Sequence, residues 1–110
     1  MRVTSEFWVS AYVRRCNSEG AFAVVQRRGD AQAGAIFVIA DTLRGECTLF
    51  GAASQSLLEE ADGSRYFTAL EGPVPCSVID DRLRRETRFD PDVWIVAVED
   101  PAGRHFLELR

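Results

Sequence analysis

The segment Val93-Trp94-Ile95-Val96-Ala97-Val98 is apolar at every position and rich in β-branched and aromatic residues. Side chains of a strand alternate between two faces, so a run with no polar alternation has to be covered on both sides. It reads as the clearest central strand of the chain. Ala21-Phe22-Ala23-Val24-Val25-Gln26 and Ala35-Ile36-Phe37-Val38-Ile39-Ala40 share its character and read as two further interior strands.

Helices can supply part of that cover, and the sequence offers two. Thr4 or Ser5 can cap a helix over about residues 5–19, with Glu6 in its first turn, Arg14 and Arg15 near its electronegative end and Gly20 just past it. At 100° per residue, Trp8, Val9, Tyr12, Val13 and Cys16 fall within one arc of about 140°, the stripe of a helix lying on a sheet, while Phe7 and Ala11 point away. A second helix over about residues 76–89 opens where Ser77 and Asp80 resemble a capping box. It closes at Asp90-Pro91, because proline disfavours helical geometry in the residue before it.

The connections are read from their turn residues. Arg27 to Gly34 holds two glycines and reads as a hairpin loop joining the first two strands; Arg44-Gly45 turns into a strand over Cys47–Gly51. Asp62-Gly63 is a strong two-residue hairpin signal joining Ser56–Ala61 to Ser64–Leu70, a meander that Pro73 and Pro75 then close. Asp100-Pro101-Ala102-Gly103 has type I turn preferences and returns Arg104–Leu109 as a final strand. The expected fold is α+β, a single domain over residues 1–110: a largely antiparallel sheet of about five to seven strands with both helices packed on one face. The other face then lacks cover from within the chain, which leaves homodimerisation through it open.

Seventeen acidic and thirteen basic residues give a net charge of −4, which repels polyanions and disfavours nucleic acid or an anionic membrane as partner. All thirteen basic residues are Arg, a bias that genome composition explains more simply than bidentate anion recognition. Cys16, Cys47 and Cys76 are odd in number, far apart and form no C-x-x-C pair, which argues against a disulfide framework or a structural zinc site and for a reducing compartment. No secretory signal is recognised, and no stretch approaches the roughly 18 apolar residues that span a bilayer, so a cytoplasmic protein is expected.

No catalytic motif stands out. His105 is the single histidine, and G-x-S-x-G, H-E-x-x-H and the glycine-rich phosphate loops are absent, so no cofactor and no catalytic residue is expected. Asp90 with Asp92, or Glu59 and Glu60 with Asp62, are the best local carboxylate groups for a metal. Both have simpler readings as junction and turn residues, and no metal is expected. Arg27, Arg28 and Asp30 at a loop tip could present guanidinium groups and backbone N–H groups to a carboxylate or phosphate. The plainer reading sends Arg27 and Arg28 to opposite faces and leaves Asp30 to cap the turn. Arg84, Arg85 and Arg88 fall within about 100° on the second helix, opposite Ile79 and Leu83, and could form a docking stripe. Asp80–Arg84 and Asp81–Arg85 would pair at i,i+4, which favours a solvated, self-paired face instead.

Three segments are familiar together: Phe7-Trp8-Val9 with Arg14-Arg15; Arg27-Arg28-Gly29-Asp30 with Ala33-Gly34-Ala35-Ile36-Phe37-Val38; and Arg88-Phe89-Asp90-Pro91-Asp92-Val93-Trp94-Ile95-Val96. Over nearly its full length the chain resembles the small bacterial proteins of domain of unknown function family 1491. The resemblance implies a stand-alone bacterial protein of this size and carries no activity, substrate, cofactor or catalytic residue.

Two functional readings follow. One is a non-catalytic interaction module that binds a protein partner or a second copy of itself through an uncovered sheet face, an edge strand, or the arginine-bearing loop and helix. The other is a binder of a small anionic compound, or an enzyme acting on one, with Arg27 and Arg28 holding the anion and Asp30, Asp90 or His105 as acid or base. The first is preferred, because the catalytic signals are missing and apolar strand surface is in excess.

Overall fold

The computed structural model describes residues 3–53 and 65–110. Helix α1 (Ser5–Ser18) is followed by strands β1 (Phe22–Arg27), β2 (Ile36–Asp41), β3 (Glu46–Ala52) and β4 (Phe67–Pro75), helix α2 (Cys76–Phe89) and strand β5 (Trp94–Glu99). Thr4 caps α1 as expected, its Oγ1 accepting the Phe7 N–H at 3.2 Å, and Gly20 follows the helix with φ +92°. That left-handed conformation suits glycine best. The N-terminus of α2 differs from expectation. Pro75 precedes it and no side chain caps it, so Ser77 and Asp80 form no capping box.

The α+β class and the two helices are as expected. Among the described residues the sheet has five strands in the order β1-β5-β2-β3-β4, and it is mixed: β5 runs parallel to β2 while the other pairs are antiparallel. The expected β1–β2 hairpin is therefore not formed. β5 inserts between the two strands because it is the segment most in need of cover on both faces and of neighbours on both edges. β1, read as interior, is an edge strand. β4 forms the opposite edge, where Pro73 and Pro75 are tolerated because an edge strand need not donate on its outer side. The Asp62-Gly63 hairpin, its partner segment Ser56–Ala61 and the Glu59, Glu60 and Asp62 group lie outside the described residues.

The helices do not share a face. Val9, Tyr12 and Cys16 of α1 pack with Ala23, Val38, Ala40, Trp94, Val96 and Val98, whereas Ile79 and Leu83 of α2 pack with Ile39, Leu49, Ile95 and Ala97. Alternate residues of β2 and β5 thus go to opposite layers, one helix on each. The both-sided apolar run of β5 dictates this: two helices on one side would leave Ile95 and Ala97 in water, at about 25 cal/mol for each Å² of apolar surface left exposed. The second face is consequently covered from within the chain across most of its width.

The tail also differs from expectation. The Asp100–Gly103 turn forms, with the Gly103 N–H donating to the Asp100 carbonyl at 2.8 Å, but residues 104–109 do not pair back on β5, whose two edges are already occupied. They cross the α1 layer instead, placing Phe106 and Leu107 against its core and bridging Leu109 to Phe67 in parallel.

A disulfide joins Cys47 to Cys76, where the odd number and wide spacing of the cysteines argued against a disulfide framework; Cys16 remains free and buried. Strand register explains it. β3 and β4 are paired so that Glu46 faces Pro75 and Cys47 faces Val74, which carries Cys76, the first residue of α2, to within 4.9 Å of Cys47 between Cα atoms. A linear spacing of 29 residues contains no trace of that register.

Candidate functional site

The loop from Arg27 to Ala35 is a brace rather than an open anion cradle. Its Ala31 and Gln32 carbonyls accept the first N–H groups of α1 at 3.0 and 3.2 Å, Ser5 Oγ donates to the Gly34 carbonyl at 2.6 Å, and the Asp30 N–H donates to the Asp92 carbonyl at 2.9 Å. Trp94 Nε1 donates to the Asp30 carbonyl at 2.8 Å. Gly29 and Gly34 allow this closeness: a Cβ on either would stand 2.2 or 2.3 Å from the Asp92 oxygen. The Asp30 carboxylate accepts the Ala33 N–H at 2.9 Å, so it is spent on the turn.

Arg27 and Arg28 leave the end of β1 on opposite faces and do not converge. Arg28 pairs with Glu6 of α1 at 2.6 Å and lies 5.0 Å over the Trp94 ring. Both members of that pair are well exposed, so it contributes about 0.2–1 kcal/mol. Arg27 goes to the α2 side, where its Nη2 donates to the Pro91 carbonyl at 3.0 Å. There it borders an open groove of about 320 Å³ together with Gln26, Asp80, Leu83, Arg84 and Thr87, over Ile95.

On α2 the charges pair differently from expectation. Arg84 pairs with Asp81 at i,i+3, and Arg82 bridges Glu71 of β4 at 3.2 Å and Glu86 at 3.8 Å. Arg85 and Arg88 are exposed and make no ion pair among the described residues. Asp90 accepts the Asp92 N–H at 3.0 Å, as a junction residue should.

His105 is a packing residue. Its ring lies 4.8 Å from Phe50, its Nδ1 accepts the Leu107 N–H at 3.0 Å, and burial lowers its pKa. Tyr12 Oη donates to the His105 carbonyl at 2.5 Å, and burial raises the Tyr12 and Cys16 pKa values. Asp100 is held down at about 2 by hydrogen bonds from the Arg104 side chain and backbone. Among the described residues, His105, Asp90 and Asp30 make separate contacts, with Phe50 and Leu107, with Asp92, and with Ala33 respectively.

The feature that sequence reading misplaced is the outer flank of the α2 layer. α2 packs over β3 and β4 and reaches Ile39 and Ile95, and the groove beside Gln26 and Arg27 lies between it and the end of β1. Val24, opposite Ala97 of the α2-side core, is 39% exposed, and Phe22 on the same face is 57% exposed. Phe89 at the end of α2 is 91% exposed. An apolar stripe on an edge strand is normally blunted with charge or covered, because it invites pairing.

The protein-family model described as "Protein of unknown function (DUF1491)" matches residues 3–108. The chain belongs to the DUF1491 family. Its fold is similar to the crystal structure of a DUF1491 family protein from Caulobacter crescentus CB15, with a TM-score of 0.84 and 36% identity over 100% of this chain and 99% of that one. It is equally similar to the solution structure of a protein from A. tumefaciens, with a TM-score of 0.85 and 38% identity over 99% and 95% of the two chains. An NMR structure of a DUF1491 family protein from Caulobacter crescentus CB15 gives a TM-score of 0.81 and 38% identity over 100% and 98%. A comparison with curated proteins finds no match. Membership in DUF1491 thus brings a shared fold and no assigned activity. Among the described residues, no helix is long and apolar enough to cross a membrane.

Proposed function

We propose that this DUF1491 protein is a non-catalytic self-association module whose contact surface is the edge of β1 and its uncovered flank. The supporting observation is the position of Phe22, 57% exposed, and Val24, 39% exposed, on an edge strand at the flank of the sheet beyond α2. A second copy is the occupant that fits. Two β1 edges meeting antiparallel about a twofold axis beyond Ala23, whose N–H already donates to Asn17 Oδ1 at 2.9 Å, pair the remaining edge groups and put Phe22 and Val24 of both copies on one continuous face. The groove beside Arg27 and Arg84 would lie at the rim, where polar groups stay hydrated.

The alternative, a small anion held jointly by Arg27 and Arg28, has little support in a geometry that sends the two guanidinium groups to opposite faces. A cytoplasmic setting belongs to the preferred reading, and there the Cys47–Cys76 pair would be held as two thiols.

Light scattering on the purified protein over a range of concentrations tests the proposal. A mass that rises from one chain to two, and returns to one in Phe22→Asp, is the expected result. A strict monomer at every concentration refutes self-association.

A further inference from the structure

Asp41, Cys47 and Cys76 sit at one end of the sheet on three successive elements. Asp41 faces Cys47 across the β2–β3 ladder, and Cys76 follows Pro75, which faces Glu46 across β3–β4. Among the described residues, these three side chains place one donor atom each within 4.8 Å of one another, with Cys47 buried and the other two half-buried. We propose that, with the disulfide reduced, the three residues form a binding site for a thiophilic divalent cation of the zinc class.

The dimensions suit such an ion. Zinc–sulfur bonds of about 2.3 Å and zinc–oxygen bonds of about 2.0 Å at tetrahedral angles need sulfurs about 3.8 Å apart and a carboxylate oxygen about 3.5 Å from each. The three donor atoms already lie within 4.8 Å of one another, so opening the sulfur–sulfur bond asks only that the two sulfurs part to that spacing. The carboxylate is already oriented, because Asp41 Oδ1 accepts the Leu43 N–H at 2.8 Å, leaving the second oxygen for the ion. Cys76 is held by donation of its backbone N–H to the Gly45 carbonyl at 3.2 Å. As the first residue of α2 it stands at a helix N-terminus with no side-chain cap and no acid in the first turn, so the positive end of the helix favours a thiolate there. Two thiolates and one carboxylate occupy three corners of a tetrahedron and leave the fourth for water.

The site is closed by oxidation. A dithiol reductant delivers two electrons and two protons to the Cys47–Cys76 disulfide and becomes a disulfide itself; the two thiols lose their protons when their sulfur lone pairs, with that of Asp41, bind the cation. Oxidation by a disulfide-bearing partner runs the exchange backwards and releases the ion.

Cobalt(II) is the probe. The full chain, reduced with a phosphine and kept free of oxygen, is titrated with Co²⁺ while circular dichroism follows the fold. One equivalent should bind with a thiolate-to-metal charge-transfer band that Zn²⁺ abolishes, and the oxidised chain should show no band. Cys47→Ser/Cys76→Ser, which keeps Cys16, should show no band either. Loss of outer-shell partners costs metal sites about 10–100-fold in affinity, so Asp41→Asn, which removes a direct ligand, should cost at least that. The proposal is overturned if the reduced, folded chain gives no band, if the double serine variant gives the same band, if Asp41→Asn binds as tightly as the parent, or if the reduced chain unfolds and the three elements no longer meet.

Discussion

The two layers flanking the sheet are built to different standards of closure. On the α1 side, Trp8 stacks on Tyr12 at 4.8 Å and meets Phe67 at 5.2 Å, the C-terminal tail adds Phe106 and Leu107, and every strand contributes to one core. On the α2 side the core is smaller, and at β1 it gives way to exposed Phe22 and Val24. A helix of 14 residues spans about 21 Å and cannot roof a five-stranded sheet alone. One layer closes because the tail is recruited to it, and the other stays open along one flank.

Truncation separates the layers most strongly. Trp94 is 1% exposed, donates its indole N–H to the Asp30 carbonyl and supports the brace to α1. Trp94→Ala should cost about 3–5 kcal/mol in denaturant unfolding, with a fall in midpoint large enough to be seen at once. Ile79→Ala, the matching cavity under α2, should cost about 2–4 kcal/mol. Equal losses at the two positions would mean that the layers are equally closed.

Asp100 tests how the tail is fastened on the closed side. Its carboxylate has a folded pKa of about 2, below the unfolded value near 3.9, so its stabilisation is present above pH 4 and is lost as pH falls through 2. Asp100→Asn should therefore be less stable than the parent at pH 7, and chemical denaturation at falling pH should show the gap shrinking below pH 4. A gap independent of pH would place the effect of Asp100 elsewhere than in its charge. The smallest expected change in stability is at the open flank. Phe22→Ser should alter it by at most about 0.5 kcal/mol while removing self-association, measured by thermal unfolding and by solution mass on the same sample. A large destabilisation would show Phe22 to be core after all.

Local signals were legible in the chain wherever neighbours in sequence decide the outcome. Thr4 caps α1, the helix over 76–89 ends at Asp90-Pro91, and the apolar runs around Phe22, Ile36 and Trp94 are strands within a residue of their expected ends. Asp30 and Asp90 hold turns, and Arg27 and Arg28 part to opposite faces, as the plainer readings had it. What escaped is pairing between distant segments. Nothing local says that β5 slips between β1 and β2, that β1 thereby becomes an edge, or that β3–β4 register delivers Cys76 to Cys47. One misreading was avoidable: the unbroken apolar run Val93–Val98 already required a cover on each face, and two helices were available to supply it.

The sharpest test of the open flank is amide hydrogen exchange along β1 at low and high protein concentration. Protection at Val25–Gln26 that rises with concentration while β3 stays unchanged is expected if two copies pair through this edge, the Ala23 amide being already held by Asn17. Exchange in β1 that is independent of concentration contradicts it.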